Sequence, residues 1–153
     1  MRDLLPPGYV IDTSALIDLW KLHPRDIFPT LWGNVERLIH EENLIAPRQV
    51  LEELKRQQDA LLVWAREQRI FTDLDAEQVL FVTEIESRFP SLVDHQKQTP
   101  DADPFVIALS KGWIVVSSES FRPTKPRIPD ACAYYKLECL SLFDFFRKCG
   151  WQF

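Results

Sequence analysis

The chain has 153 residues, of which 46% are hydrophobic and 27% are charged, which predicts a single domain over residues 1–153 with its own apolar core. Three cysteines without a metal-ligand spacing argue against a disulfide framework and a zinc site. Four glycines leave no Gly-rich loop for a nucleotide phosphate. No membrane helix and no signal peptide are recognised, so we expect a cytoplasmic protein. The net charge of −5 by itself argues against nucleic-acid binding.

Short apolar segments alternate with helical patterns along the chain. The apolar periodicity and the helix-terminating residues predict strands over 9–11, 44–46, 113–116 and 137–140, and helices over 15–23, 29–41, 48–58, 60–68, 76–88, 104–111, 130–135 and 141–148. Residues 70 and 71 are predicted to lead into a linker, and the histidines to lie on helix surfaces or in loops. This alternation predicts an α/β fold with a central, mostly parallel sheet of four to five strands flanked by helices.

Several helix details also follow from local patterns. Thr13 or Ser14 is expected to cap the first helix, and Asp103 to cap the helix that starts at Pro104. Val79 and Leu80 are predicted to face inward from the helix over 76–88.

Four acidic residues fall near the carboxyl ends of predicted strands. Asp12 ends the first strand, and Glu119 follows the third. Asp103 begins the helix that leads into that third strand, and Glu53 lies one turn into the helix after the second. Because the ligand crevice of a parallel sheet lies outside the carboxyl ends of its strands, we expect these carboxylates to converge.

Converging carboxylates repel one another unless a cation lies between them. Oxygen-only sites suit Mg²⁺ or Mn²⁺, and such ions can serve hydrolysis of a phosphodiester. With four acids held on metal ions, the rest of the surface would be close to neutral and could admit a phosphate backbone. The pattern therefore favours a metal-dependent phosphodiesterase.

Each acid also has a purely structural explanation. Asp12 and Asp103 could cap helices, and Glu53, next to Glu52, could lie on a solvated helix face. The functional interpretation therefore depends on all of the acids meeting in space.

Four motifs resemble those of PIN domains, in the same order and with similar spacing. They are YVIDTSALI at 9–17, VLEEL at 50–54, DPFVIA at 103–108 and VVSSESF at 115–121. The resemblance extends over about residues 9–140 and implies a PIN-like fold.

The resemblance also implies Mg²⁺- or Mn²⁺-dependent endoribonuclease activity on RNA. Many small proteins of this kind resemble VapC-type toxins, which a cognate antitoxin protein holds inactive. The catalytic and metal-binding acids of the family correspond here to Asp12, Glu53, Asp103 and Glu119. Supporting roles are expected for Thr13, Ser14, Asp101 and Ser117.

The fourth motif departs from the usual PIN pattern. Glu119 stands where Asp is usual, and Ser117 stands where Thr is usual. The C-terminal part resembles a less characterised bacterial PIN-like branch in which Glu is usual at this position. The departure leaves open a non-catalytic PIN-like module that binds RNA or a protein. A structure-specific DNA nuclease or another metal phosphatase is a third alternative.

Two surface features suggest partners. Arg122, Lys125 and Arg127 form a local basic cluster near the predicted site, which could contact RNA phosphates or simply lie in a solvated loop. Trp20, Trp32 and Trp64 are expected in the core or at an interface, and an apolar stripe on the first two helices could serve a homodimer or an antitoxin helix.

Overall fold

A computed structural model describes residues 7–57, 59–93, 101–120 and 126–153. Within these ranges five short strands form one sheet with parallel pairing throughout, in the spatial order β3-β2-β1-β4-β5. The strands are β1 (Tyr9–Ile11), β2 (Leu44–Pro47), β3 (Phe71–Thr72), β4 (Ile114–Val116) and β5 (Cys139–Leu140). The predicted α/β class and the strand number are therefore confirmed.

Helices flank this sheet and supply the connections that parallel strands need. They are α1 (Thr13–Leu22), α2 (Pro29–His40), α3 (Arg48–Leu54), α4 (Ala60–Glu67), α5 (Ala76–Arg88), α6 (Asp103–Leu109), α7 (Ile128–Tyr134) and α8 (Leu142–Lys148). A 3-10 turn at Pro90–Leu92 follows α5. None of the helices in the described ranges combines the length and the apolar character that a membrane crossing requires.

The strand order determines where a ligand crevice can form. The chain proceeds from β1 outward to β2 and β3, then crosses to the other side of β1 for β4 and β5. The order therefore reverses between β1 and β4, and the crevice of such a sheet lies outside the carboxyl ends at that reversal. The Asp12 N–H donates to the Val116 carbonyl over 3.0 Å, which holds the two strand ends together.

The core is continuous from the sheet to the outer helices. All three residues of β1 are buried because helices cover both faces of the sheet. On one side Trp20, Trp32 and Trp64 form a tryptophan cluster between α1, α2 and α4, with ring centroids 5.1–5.9 Å apart. The prediction of a core or interface role for these residues is confirmed as a core role.

Some local predictions were wrong. Phe71 belongs to a strand rather than a linker, because its two-residue segment pairs with β2 in the sheet. Val79 and Leu80 are 49% and 72% exposed, since α5 buries only Val82 and Ile85. Helical spacing identifies an apolar face but not how much of it the tertiary structure covers.

His23 was also expected on a surface, and it is buried instead. Its ring packs against Phe28 and Phe146, and its carbonyl accepts a 2.7 Å hydrogen bond from the Trp32 indole. The residue therefore links α1 to α2 and α8. His95 lies outside the described residues.

Candidate active site

Asp12 occupies the junction between β1 and α1. Its Oδ1 accepts a 2.8 Å hydrogen bond from the Ala15 N–H, so Asp12 caps α1. The predicted cap at Thr13 or Ser14 was wrong because both residues already lie in the first helical turn. The structural explanation of Asp12 as a helix cap is therefore correct, and capping fixes its side-chain carboxyl group at the carboxyl end of β1.

Two serine hydroxyls hold the Asp12 carboxylate. Ser117 donates to Oδ2 over 2.5 Å, and Ser14 lies 2.9 and 3.0 Å from the two carboxylate oxygens. Burial, with a smaller contribution from the charge of Glu119, nevertheless raises the pKa of Asp12 to about 7, against the lowering effect of these donors. Asp12 is therefore a buried acid that the protein's own dipoles stabilise only in part.

Glu53 lies on α3 and reaches toward the same junction. The Thr13 hydroxyl donates to its Oε1 over 2.6 Å, across 40 residues of sequence. The neighbouring Glu52 pairs instead with Lys55, at 3.0 Å. Of two adjacent glutamates, only Glu53 is thus connected to the β1–α1 junction.

Asp103 is the first residue of α6, and Ala102 occupies the cap position without a side-chain hydrogen bond. The predicted cap role of Asp103 was wrong because the helix begins one residue earlier than expected, with Pro104 still in its first turn. The Asp103 carboxyl group is therefore not needed as a cap.

The surroundings of Asp103 show that the acids lie close enough to interact electrostatically. Burial raises its pKa to about 9, and neighbouring negative charges contribute to the shift. Those charges belong, in order of decreasing effect, to Glu119, Asp12, Glu53 and Asp101. We call these four acids, together with Asp103, the carboxylate rim.

Glu119 is held through both its backbone and its side chain. Its N–H donates to Ser117 Oγ over 3.1 Å, and its Oε2 accepts from the Ile128 N–H over 3.1 Å. The Ile128 contact was not foreseen, because α7 was predicted to start at residue 130. Pro129, which suits the first turn of a helix, was the signal for the earlier start.

The carboxylate rim fits hard divalent cations in its chemistry but is not a closed metal site. Among the described residues, no group of three or more Asp, Glu, His or Cys side chains is arranged to hold an ion. Like-charged carboxylates stay apart and bind Thr13, Ser117 and the Ile128 N–H instead. The ligand atoms that these carboxylates offer are all oxygens, the type that Mg²⁺ and Mn²⁺ prefer. A metal ion among them would offset the repulsion that raises the pKa of Asp103.

The predicted basic cluster is described only in part. Arg122 and Lys125 lie outside the described residues. The Arg127 N–H donates to Asp130 Oδ2 over 2.7 Å, at the start of α7. Arg127 directly precedes Ile128, so it lies one residue from the group that contacts Glu119.

The parallel sheet with acids at its carboxyl edge defines the class: this is a PIN-like fold. The chain resembles a chain from the crystal structure of VapBC2 from Rickettsia felis bound to a DNA fragment from their promoter. The TM-score is 0.52 at 15% identity, covering 87% of this chain and 97% of the other. A second match is to PAE2754 from Pyrobaculum aerophilum, with TM-score 0.48, 14% identity, and coverage of 96% and 100%. At these identities the likeness concerns the fold alone.

The family is narrower than the fold. Residues 9–153 match the family described as a domain of unknown function, DUF4411, and the chain belongs to it. A search of curated proteins finds no match.

Proposed function

We propose that this protein is a Mg²⁺- or Mn²⁺-dependent endoribonuclease that hydrolyses RNA phosphodiesters, acting as the toxin of a toxin–antitoxin pair. The observation that carries the proposal is the environment of Asp103, whose pKa is raised by burial and by four neighbouring carboxylates. Such a concentration of acids is costly unless it binds cations. Its position at the reversal of strand order is where a PIN-like sheet offers its crevice.

In this proposal Asp12, Glu53, Asp103 and Glu119 are the metal ligands. When bound, the ions would supply a nucleophile from water and neutralise charge on the leaving oxygen. The chain's own part is to orient the ligands: Ser14 and Ser117 hold Asp12, and Thr13 holds Glu53. Asp101 adds negative charge beside Asp103.

RNA contact and the antitoxin are further parts of the proposal. Arg127, with Arg122 and Lys125, would contact the phosphate backbone. The fold likeness to the VapBC2 complex supports an antitoxin partner. Leu22 and Ile27, which are 65% and 66% exposed at the end of α1 and before α2, would provide apolar contacts for an antitoxin helix, or alternatively for a second copy.

The test compares wild type with Asp103→Asn and with Asp26→Asn, an exposed aspartate in the turn after α1 that serves as the matched control. Mn²⁺ binding is measured by calorimetry and RNA cleavage with a labelled mixed-sequence RNA. We expect Asp103→Asn to lose both while its circular dichroism stays native, and Asp26→Asn to match wild type. Full activity of Asp103→Asn in a nuclease-free preparation, or a folded wild type that binds no Mn²⁺ at millimolar concentration, would contradict the proposal.

The second candidate is a non-catalytic PIN-like module that binds RNA or a protein. It is favoured by the hydrogen bonds that engage Glu53 and Glu119 with protein groups, since these compete with metal binding. This candidate predicts tight RNA binding without turnover in Mn²⁺. It further predicts that Glu119→Asp, which restores the usual PIN residue, gains cleavage.

A further inference from the structure

A cleft of about 300 Å³ opens beside the carboxylate rim. Its walls come from the outward face of α1, the segment that follows β4, and the start of α8. The lining residues that matter here are Asp18, Ser117, Ser118, Glu119, Ser141 and Phe143. This volume lies at the lower end of small-ligand pockets, so it suits a single small group rather than an extended ligand.

The cleft is continuous with the proposed catalytic groups. Glu119 and Ser117 line it, and the Ser117 hydroxyl is 2.5 Å from Asp12 Oδ2. Along α1, Asp18 follows Ser14 by one turn on the same face. A phosphodiester at the carboxylate rim would therefore place the adjoining nucleoside at the mouth of the cleft.

The chemistry of the walls argues against a phosphate and for a neutral polar ring. Neither Lys nor Arg is found among the described residues that line the cleft, while serine hydroxyls and two carboxylates are. His23 also lines it, but its ring packs against Phe28 and Phe146, and its Nδ1 lies 3.2 Å from the Leu19 carbonyl oxygen. Within the described ranges the Asp18 carboxylate makes no hydrogen bond or salt bridge, and it can only accept hydrogen bonds when ionised. A ligand with an N–H donor would complete it.

An exposed aromatic ring lies at the edge of the cleft. Phe143 is 63% exposed, although it lies next to the buried Leu142. Its ring packs against Phe146, with centroids 6.2 Å apart, which limits its orientation while the rest of the ring stays open. Proteins use such rings as platforms on which unpaired bases stack.

We propose that this cleft binds one unpaired nucleobase of the RNA substrate, next to the scissile phosphate, with the base stacked on Phe143 and its amino group donating to Asp18. The inference rests on the proposed ribonuclease function and adds to it a base-binding site beside the scissile phosphate, with a preference among the bases. Cytosine, adenine and guanine carry an amino group. Uracil offers only its ring N3–H, which lies between two carbonyl oxygens that the Asp18 carboxylate would repel, so the site disfavours uracil.

The test measures binding of labelled hexaribonucleotides of C, A or U by fluorescence anisotropy, in Ca²⁺ to limit cleavage. Phe143→Ala is expected to raise the Kd for the cytidine oligomer about 5- to 150-fold, the range for loss of one stacked base. Phe153→Ala, a matched control 66% exposed and outside the cleft, is expected to stay within about twofold of wild type. Phe143→Leu, which keeps an apolar side chain, checks that loss of the ring is responsible and is expected to be weakened as well.

The role of Asp18 has a separate readout. Wild type is expected to bind the uridine oligomer about fivefold more weakly than the cytidine oligomer, and Asp18→Asn is expected to remove this difference. Mn²⁺ binding in Phe143→Ala should equal that of wild type, because the phenyl ring has no atom that binds a metal ion and Phe143 is not one of the proposed ligands.

The outcomes separate the two proposals. Equal Kd values for Phe143→Ala and Phe153→Ala, or no oligomer binding by wild type, would overturn the nucleobase site even if Mn²⁺ binding and RNA cleavage are intact. A wild type that binds the oligomers with the expected Phe143 dependence, but neither binds Mn²⁺ nor cleaves RNA, would keep the nucleobase site and overturn the ribonuclease proposal.

Discussion

Helix α1 connects two regions with opposite physical character. At its start, Asp12 belongs to the carboxylate rim, where burial and like charges raise the pKa values of Asp12 and Asp103. Two turns later, Trp20 belongs to the tryptophan cluster, in which Trp32 is buried and its indole N–H is satisfied by the His23 carbonyl. One end of the helix therefore holds charges at an energetic cost, and the other end buries apolar surface at a gain.

The contrast indicates that the tryptophan cluster serves stability and the carboxylate rim serves function. Apolar burial stabilises the fold in proportion to the area removed from water. Buried carboxylates without cations destabilise it, and native proteins retain such groups chiefly at functional sites. Changes in the two regions should therefore affect stability with opposite sign.

The largest effect on stability is expected from Trp32→Ala in the tryptophan cluster. Truncating a buried Trp costs about 3–5 kcal/mol, because it removes apolar contacts and leaves a cavity. For a chain of this length this lowers the Tm by about 6–20 °C. Thermal unfolding followed by circular dichroism measures it, with Leu80→Ala, 72% exposed, as a control that should barely change the Tm. Equal Tm values for the two variants would show that the tryptophan cluster contributes no more to stability than an exposed leucine.

In the carboxylate rim, Asp103→Asn is expected to stabilise the metal-free protein. Near neutral pH the folded state holds Asp103 protonated, whereas the unfolded state does not. Asparagine avoids the cost of that proton uptake, so the substitution should raise the free energy of unfolding by roughly 1–3 kcal/mol in EDTA. The folded state binds more protons than the unfolded state between about pH 4 and pH 9, because the pKa of Asp103 is raised from 3.8 to about 9. The contribution of this group to stability therefore falls as the pH rises through that range.

Chemical denaturation at several pH values checks this prediction. The wild type should lose stability as the pH rises within that range, and Asp103→Asn should lose less. If instead the variant is less stable than wild type in EDTA at every pH, then the rim is not electrostatically strained, and the contrast with the tryptophan cluster fails.

Ser117→Ala tests whether the hydroxyl that holds Asp12 matters for metal binding. Removing a group that orients a ligand typically weakens metal affinity about 10–100-fold. The matched control is Ser110→Ala, a fully buried serine at the end of α6 whose hydroxyl donates to the Ile107 carbonyl over 2.7 Å. Calorimetric Mn²⁺ titration should show the loss for Ser117→Ala alone. Equal affinities in the two variants would mean that Ser117 serves the fold rather than the site.

The smallest effect is expected at Glu52, directly beside Glu53. Its exposed pair with Lys55 contributes at most about 1 kcal/mol, and the Thr13 hydroxyl donates to Glu53 rather than to Glu52. Glu52→Gln should therefore leave stability and Mn²⁺ affinity almost unchanged, whereas Glu53→Gln should weaken Mn²⁺ binding. Comparable losses of Mn²⁺ affinity in the two variants would refute the assignment of Glu53 as the ligand.

Local patterns were sufficient to predict most of the fold. The buried strands β1, β2 and β4 stand out as short apolar runs between terminating residues, and parallel pairing follows from their alternation with helices. The same patterns failed at β3, which has two residues and exists only because β2 offers a partner. They also failed at the start of α6, where one residue of shift moved Asp103 from the cap into the helix.

For the candidate site, the sequence by itself determined the residue types and their positions at strand ends, because hydrophobic period and helix signals are local. Only the tertiary structure decided that the acids interact, since this depends on the order of β1, β2 and β4 in the sheet. It also decided that the Ile128 N–H binds Glu119 and that Phe143 stands at the edge of a cleft beside it. These contacts join segments far apart in the chain, and the packing of whole elements, rather than the preference of any short segment, brings them together.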